Sequence, residues 1–200
     1  MLKYLMICLS LAGAAMAIDT VDVQTQNGSQ RELEAKAELE SILKKYDLSK
    51  YTFTRKVIFE QQAMNHAFPV LTMNPRFVGS DDEMLSTFLH EQLHWWLREH
   101  PREMRDAVAQ LQRFYPRVPV GLPEGAETEY STYGHLIDCY LEIQADRELI
   151  GEQRTAEVIK RRPWYTWIYA TILRDEPRIA AIVARERLNV PDRKASKGSS

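Results

Sequence analysis

Apolar residues recur at helical spacing in several long segments of the chain. Between Arg31 and Tyr46 they are interleaved with Glu and Lys, a pattern that predicts an amphipathic helix. Further helices are predicted from Ser80 to about Glu99, over about 102–114, from Glu127 or Tyr130 to 150, and over 163–173 and 177–188. The S-x-x-E pattern at 80–83 predicts a capping box, and a glycine at 151 is placed to end the fourth helix.

Two shorter segments have the composition of strands. Residues 51–59 are rich in β-branched and aromatic side chains, and residues 68–73 form a second extended stretch. Pro69 favours an edge or a strand start for the second stretch, because proline cannot donate to a central ladder. The sequence therefore predicts an α+β fold that is mostly helical, with a small sheet packed on the helix over 80–99 and a helical C-terminal half.

The composition is that of one globular domain. The chain has 200 residues, of which 44% are hydrophobic and 27% charged, with a formal net charge of -2. Because the charge is nearly balanced, we expect no nucleic-acid partner held by a basic surface. The only two cysteines are Cys8 and Cys139.

The first 17 residues have the anatomy of a secretory signal. Lys3 precedes an apolar stretch that ends in Ala15-Met16-Ala17, a small-residue pattern that signal peptidases cut. The apolar stretch is shorter than the roughly 20 residues needed to cross a bilayer. We therefore expect an exported protein, periplasmic or secreted, without stable membrane insertion after cleavage and without an internal disulfide. The domain would span 18–190, followed by a disordered polar tail over 191–200.

The segment most indicative of chemistry is His90-Glu91-Gln92-Leu93-His94, an HExxH sequence on a predicted helix. Two imidazoles four residues apart project from one helix face, so both can bind one Zn²⁺ ion. Glu91 would lie beside the ion, where its carboxylate can act as the general base for a water molecule. The helix has a separate apolar stripe, so its packing does not require these histidines.

A zinc site needs a third protein ligand, and the next long helix offers three candidates on one face. These are His135, Cys139 and Glu142, with Asp146 alongside. His135 could be a ligand, a group that stabilises the transition state or a histidine packed in the core. Cys139 could be a ligand or a small buried apolar residue.

The HExxH sequence and the run Leu141-Glu142-Ile143-Gln144-Ala145-Asp146, an ExxxD pattern, resemble the gluzincin metallopeptidases, in particular the CAAX prenyl endopeptidase-like and thermolysin-like families. The resemblance covers these two helices only. It implies a zincin-like fold, Glu142 as the third zinc ligand and Asp146 as the acceptor for the distal N–H of His90. The connection between the helices, including a Pro/Gly-rich loop over 115–125, departs from thermolysin. Peptide deformylases also carry HExxH, but they take a cysteine ligand from upstream of it, and after the predicted cleavage the chain has no cysteine before Cys139, which excludes that family.

Together these features predict an exported zinc metallopeptidase, an endopeptidase acting on peptides or proteins, with Glu91 as general base. His135 and Tyr133 are the first candidates for stabilising the charged intermediate, with Tyr130 and Tyr165 as others. In zincin-like folds a peptide substrate commonly pairs with an edge strand, for which 51–59 and 68–73 are candidates, and the loop over 115–125 could form a wall or lid.

Two other classes of function are consistent with the sequence. The first is a non-proteolytic, zinc-stabilised binding or chaperone-like module of the cell envelope. The second is an exported helical interaction protein without a metal. A structural zinc site has no use for Glu91, so substitution of this residue separates the enzyme from the binding module.

Overall fold

Six α-helices and three short strands make up the part of the chain that the structure, a computed structural model, describes, which is residues 20–192. Their order is β1 (Asp22–Thr25), α1 (Gln30–Lys45), β2 (Lys56–Phe59), β3 (Leu71–Met73), α2 (Asp81–Arg98), α3 (Pro101–Phe114), α4 (Glu129–Ile150), α5 (Glu152–Arg161) and α6 (Thr166–Arg185). The predicted class, α+β and mostly helical, is confirmed.

The predictions for the chain termini fall largely outside these residues. The signal segment over 1–17 is not among the described residues, and neither are residues 193–200 of the predicted tail. Asp192, near the end of the described chain, lies 2.9 Å from the Lys50 ammonium. Within residues 20–192, no helix has both the length and the apolar character needed to span a membrane.

The three strands form a parallel sheet in the order β1-β2-β3. Helix α1 lies between β1 and β2 in the chain, and a capping box of Ser29 and Glu32 fixes its start. The buried Glu32 carboxylate also accepts hydrogen bonds from the backbone N–H groups of Asn27 and Gln61. These bonds hold the N-terminus of α1 against the loop that follows β2.

Both predicted strands are shorter than expected, and a side chain of α2 explains the first difference. The Gln92 Oε1 atom accepts hydrogen bonds from the backbone N–H groups of Phe53 and Thr54, at 2.7 and 2.8 Å, and its Nε2 atom donates to the Thr54 carbonyl. These backbone groups therefore bind α2 rather than a neighbouring strand, and β2 begins only at Lys56.

Some helix ends also differ from the predictions. Ser80 precedes α2 as expected, but its side chain makes no capping hydrogen bond, and Glu83 lies 3.3 Å from the Arg161 guanidinium instead. The two predicted C-terminal helices are continuous in α6, but non-helical backbone angles at Asp175, two residues before Pro177, kink α6 between the two predicted segments. The sequence pattern does not indicate helix α5. Only Thr155 and Val158 of this helix are buried, so it lacks the repeating apolar positions that indicate a helix in a sequence.

Helix α2 crosses between two apolar cores. Leu85, Phe88 and Leu89 belong to a core with the sheet and α1, whereas Leu93 and Leu97 belong to a core with α3, α4 and α6. The HExxH residues lie where α2 passes from the first core to the second, and α4 packs against α2 at this point. Packing on both sides therefore fixes the positions of the histidines.

The loop before α4 is held in a close turn against the start of that helix. The Thr132 hydroxyl accepts a hydrogen bond from the Ala126 N–H and donates to the Pro119 carbonyl, each at 2.9 Å. A Cβ atom on Gly125 would overlap the Pro119 carbonyl oxygen and lie 3.0 Å from Thr132 Oγ1. Only glycine fits between these groups.

We expect Gly125→Ala to lower the free energy of unfolding by about 1–3 kcal/mol, because the Cβ atom forces the loop apart. Urea denaturation followed by circular dichroism measures the change. Gly134→Ala is the matched control, since its nearest contact would be Met104 Cε at 3.9 Å, and alanine at this helical position should be neutral or stabilising. Equal effects of the two substitutions would contradict the packing argument.

Candidate metal centre

Three histidine side chains from two helices lie close together. His90 and His94 lie one turn apart on α2, and His135 on α4 completes a group whose ligand atoms all lie within 4.8 Å of one another. The ring centroids of His94 and His135 are 5.1 Å apart, and those of His90 and His94 are 4.8 Å apart. His135 Nδ1 lies 2.8 Å from the Ser131 carbonyl, which leaves its Nε2 atom available as a ligand.

Asp138, one turn after His135 on α4, adds a buried carboxylate to the three histidines. Its Oδ2 atom lies 2.9 Å from His90 Nδ1 and 3.7 Å from His94 Nε2. The residue is 1% exposed, and neither carboxylate oxygen has a hydrogen bond of acceptable geometry. A buried carboxylate is costly unless a cation balances it. Although burial lowers it, the contact with Asp138 raises the pKa of His90 well above its ordinary value, so either a protonated His90 or a metal ion held by the imidazoles can balance this charge. The donor set fits a metal ion.

The Glu142 carboxylate contacts four side chains, two from α2, one from the segment after α5 and one from α6. Its Oε2 atom lies 2.9 Å from His90 Nδ1 and accepts a bond from the Tyr169 hydroxyl, while its Oε1 atom accepts from Arg162 and Ser86 at 2.8 and 2.7 Å. Burial alone would raise the pKa of Glu142, but Arg162 and His90 lower it to about 2. A charged Glu142 at Nδ1 orients the His90 ring and leaves its Nε2 atom available to bind a metal ion.

Asp146 occupies a different place from the one that the resemblance implies. Glu142, not Asp146, accepts the hydrogen bond at His90 Nδ1, and Asp146 Oδ2 lies 2.6 Å from the Ser86 hydroxyl. Burial and the neighbouring Glu142 charge raise the pKa of Asp146 to about 8. The Ser86 hydroxyl lies within hydrogen-bond distance of both Glu142 and Asp146 but has a single proton to donate. If it donates this proton to Glu142, the contact with Asp146 is a hydrogen bond only when Asp146 is protonated and donates to Ser86. Asp146 is thus connected to His90 through Ser86 and Glu142.

Glu91 has a buried carboxylate without a fixed partner. It is 4% exposed, and its Oε2 atom has no hydrogen bond. Burial raises the pKa of Glu91 to about 7, the His90 charge opposing this rise. The side chain lines two adjoining pockets, one with His94 and His135 and one with Arg162. It can therefore exchange a proton with a molecule in either pocket.

Tyr165 lies over the histidines from the segment before α6. Its ring centroid is 4.5 Å from that of His135 and 6.1 Å from that of His90, and it lines both pockets. The backbone of Tyr165 is left-handed, with φ of 60°, a conformation that non-glycine residues adopt rarely and often at functional sites. Burial raises the pKa of Tyr165 to about 12, so its hydroxyl remains a proton donor.

The other residues predicted as possible catalytic groups or metal ligands lie in less favourable positions. Tyr133 belongs to the helical core and donates its hydroxyl proton to the Tyr115 carbonyl, and Tyr130 is exposed. A catalytic role for Tyr133 therefore has no support in these contacts. Cys139 is buried, and its Sγ atom lies within 4.8 Å of ligand atoms of His90 and Glu142. Burial raises the pKa of Cys139 to about 11, which favours the thiol over the thiolate that binds zinc.

Four residues of the site were not identified from the sequence. Asp138 shares its helix face with His135 and Glu142, and Ser86 lies one turn before His90, so helical spacing could have indicated both. Arg162 follows α5 and Tyr169 lies on α6, and no local pattern connects these residues with the HExxH helix.

Comparisons with protein-family models, curated proteins and solved structures find no match to this chain. The resemblance to gluzincins therefore depends only on the residues of the two helices. What the structure adds is a buried cluster of histidines, a cysteine and carboxylates that could bind a metal ion.

Proposed function

We propose that this protein is an exported zinc metallopeptidase of zincin-like fold. The observation that carries the proposal is the unpaired carboxylate of Glu91, which is buried beside three converging imidazoles and faces two pockets. A purely structural metal site has no need of such a group, whereas hydrolysis requires a base next to the reacting water.

His90, His94 and His135 would hold the ion, with the negative charge of Asp138 beside them. Glu142, which the resemblance implies as the third ligand, instead orients His90 in this proposal, because Arg162, Ser86 and Tyr169 already donate hydrogen bonds to its oxygens. A bound zinc ion would supply Lewis acidity toward a water molecule and a substrate carbonyl. Glu91 accepts the water proton and returns it to the leaving amine.

Tyr165 has a supporting role in the proposed reaction. Its ring packs on His135, and its hydroxyl keeps its proton because burial holds the pKa at about 12. A neutral hydroxyl in this position can donate a hydrogen bond to the carbonyl oxygen as negative charge develops on it. The two pockets on either side of Glu91 would accept the two sides of a peptide substrate, and export rests on the signal pattern over 1–17.

The test compares Glu91→Gln with Glu99→Gln, an exposed glutamate at the end of the same helix. Zinc content is measured by mass spectrometry, and hydrolysis is followed on a peptide library. We expect Glu91→Gln to retain zinc and lose activity about 10²–10⁴-fold, the usual contribution of a general base, and Glu99→Gln to match the wild type.

Other outcomes have defined meanings. Zinc binding without hydrolysis in the wild-type protein would contradict the enzyme and favour the zinc-stabilised binding module. Absence of zinc from the purified and zinc-supplemented protein would favour the helical interaction protein. Equal activity of Glu91→Gln and the wild type would exclude Glu91 as the base.

A further inference from the structure

One of the two pockets at Glu91 has cationic and apolar walls. Arg76 and Arg162 line it on the cationic side, and its apolar wall contains Met64, Leu122 and Trp164. Met64, Leu122 and Trp164 are all exposed large side chains. Among residues 20–192, Glu91 is the one acidic residue that lines this pocket, and it also lines the pocket of the histidine cluster.

The two arginines differ in how the protein neutralises them. Arg162 donates hydrogen bonds to Glu142 at 2.8 Å and to the Thr87 hydroxyl at 3.0 Å, so an internal carboxylate balances its charge. The Arg76 guanidinium, in the short turn Pro75–Phe77, makes one hydrogen bond within residues 20–192, to Met64 Sδ at 3.7 Å. No carboxylate of residues 20–192 forms an ion pair with it.

The half-buried Arg76 therefore leaves an excess positive charge in the pocket. Burial and the nearby Arg162 charge both lower the pKa of Arg76, which shows that the two guanidinium groups oppose each other there. A bound anion would relieve this repulsion and accept the two parallel N–H groups that a guanidinium offers. The apolar wall would contact the carbon skeleton attached to that anion.

We infer that Arg76 binds a carboxylate of the substrate residue that occupies this pocket, next to the bond that is cleaved. The inference rests on the proposed peptidase function, since it takes Glu91 as the point at which the reacting bond lies. The carboxylate belongs either to the free C-terminus of a peptide or to an aspartate or glutamate side chain. The first source makes the protein a carboxypeptidase, and the second makes it an endopeptidase selective for acidic residues.

The experiment measures binding separately from hydrolysis. Zinc-loaded Glu91→Gln protein, which is expected not to cleave, is titrated calorimetrically with short acetylated peptides that contain an aromatic residue. One peptide ends in a free carboxylate, and its partner ends in an amide. A further series of amides carries one glutamate at each position in turn, each paired with its glutamine analogue.

We expect either the peptide with the free C-terminal carboxylate or one peptide of the glutamate series to bind about 10- to 100-fold more tightly than its neutral partner. This is the gain expected of a charge-assisted bidentate pair. Adding Arg76→Gln should remove this preference. Adding Arg113→Gln, which removes an exposed charge of α3 outside the pocket, should preserve it. Preference for the free carboxylate indicates the C-terminus as the source, and preference for a glutamate indicates the side chain.

The two proposals can fail separately. Equal binding of charged and neutral peptides, or an unchanged preference in Arg76→Gln, would overturn the carboxylate site whether or not the wild type hydrolyses peptides. A preference that depends on Arg76, in a protein whose wild type cleaves no peptide, would retain the binding site and reject the peptidase.

Discussion

Exchanging His135 for alanine is expected to abolish the proposed zinc binding and, with it, the proposed hydrolytic activity. The substitution leaves two imidazoles on α2 and the carboxylate of Asp138, while Glu142 stays bonded to Arg162 and Ser86. A loss well above 100-fold in zinc affinity is expected, because even partners outside the ligand set contribute about 10- to 100-fold. Competition with a fluorescent zinc chelator measures the affinity.

Comparing the zinc affinity of Glu142→Gln with that of His135→Ala shows which of the two residues is the third ligand. Glutamine can still accept a hydrogen bond from His90 Nδ1, so the ion should remain bound with an affinity about 10- to 100-fold lower. His100→Gln is the control, since this histidine contacts Trp96 outside the cluster and should leave zinc affinity unchanged. Loss of zinc in Glu142→Gln together with retention in His135→Ala would establish Glu142 as the third ligand, as the gluzincin resemblance implies.

The sequence predicts the histidine pair well because that feature depends on one helix alone. His90 and His94 are four residues apart, and any α-helix brings such residues to one face whatever the tertiary structure around it. The same reasoning places His135, Cys139 and Glu142 on a common face of α4. Local geometry cannot determine which of them meets the histidines, because this depends on how α2 and α4 cross.

The position of Glu142 shows why the finer assignment requires the tertiary structure. A glutamate near an HExxH pair is a good ligand as long as its oxygens are free, and here Arg162, Ser86 and Tyr169 bind them. Arg162 comes from the end of α5, a helix that the sequence pattern does not indicate. Asp138 has the opposite property, since its carboxylate lacks hydrogen bonds and faces the imidazoles.

The strands were the least predictable part of the fold for a similar reason. Residues 51–59 have strand composition throughout, yet the side chain of Gln92 takes the backbone hydrogen bonds of Phe53 and Thr54. Gln92 is itself one of the two unspecified positions of the HExxH sequence. The connection between α2 and the sheet thus depends on a residue that the motif does not specify.

Replacing Arg162 with methionine is expected to lower the free energy of unfolding by about 3–5 kcal/mol, the usual cost of leaving a buried charge unpaired. The Arg162 side chain is 12% exposed and Glu142 is 2% exposed, so water cannot replace the lost partner. Urea denaturation at pH 7 measures the loss. Arg161→Met, which removes an exposed pair with Glu83, should cost less than about 1 kcal/mol.

The double substitution Arg162→Met with Glu142→Gln distinguishes an unpaired charge from lost packing. If the uncompensated Glu142 charge causes the instability, the neutral glutamine should restore part of the lost stability, whereas a packing defect would persist.

The pH dependence of stability gives an independent check on the role of the Arg162 charge. With Arg162 present, the Glu142 pKa of about 2 lies below its ordinary value of 4.5, so the ionised form stabilises the wild type above that value. Without Arg162, burial raises this pKa and ionisation becomes destabilising, so the difference between wild type and Arg162→Met should shrink as the pH falls from 7 toward 4. A difference that stays constant over this range would indicate that the guanidinium acts through packing rather than through charge.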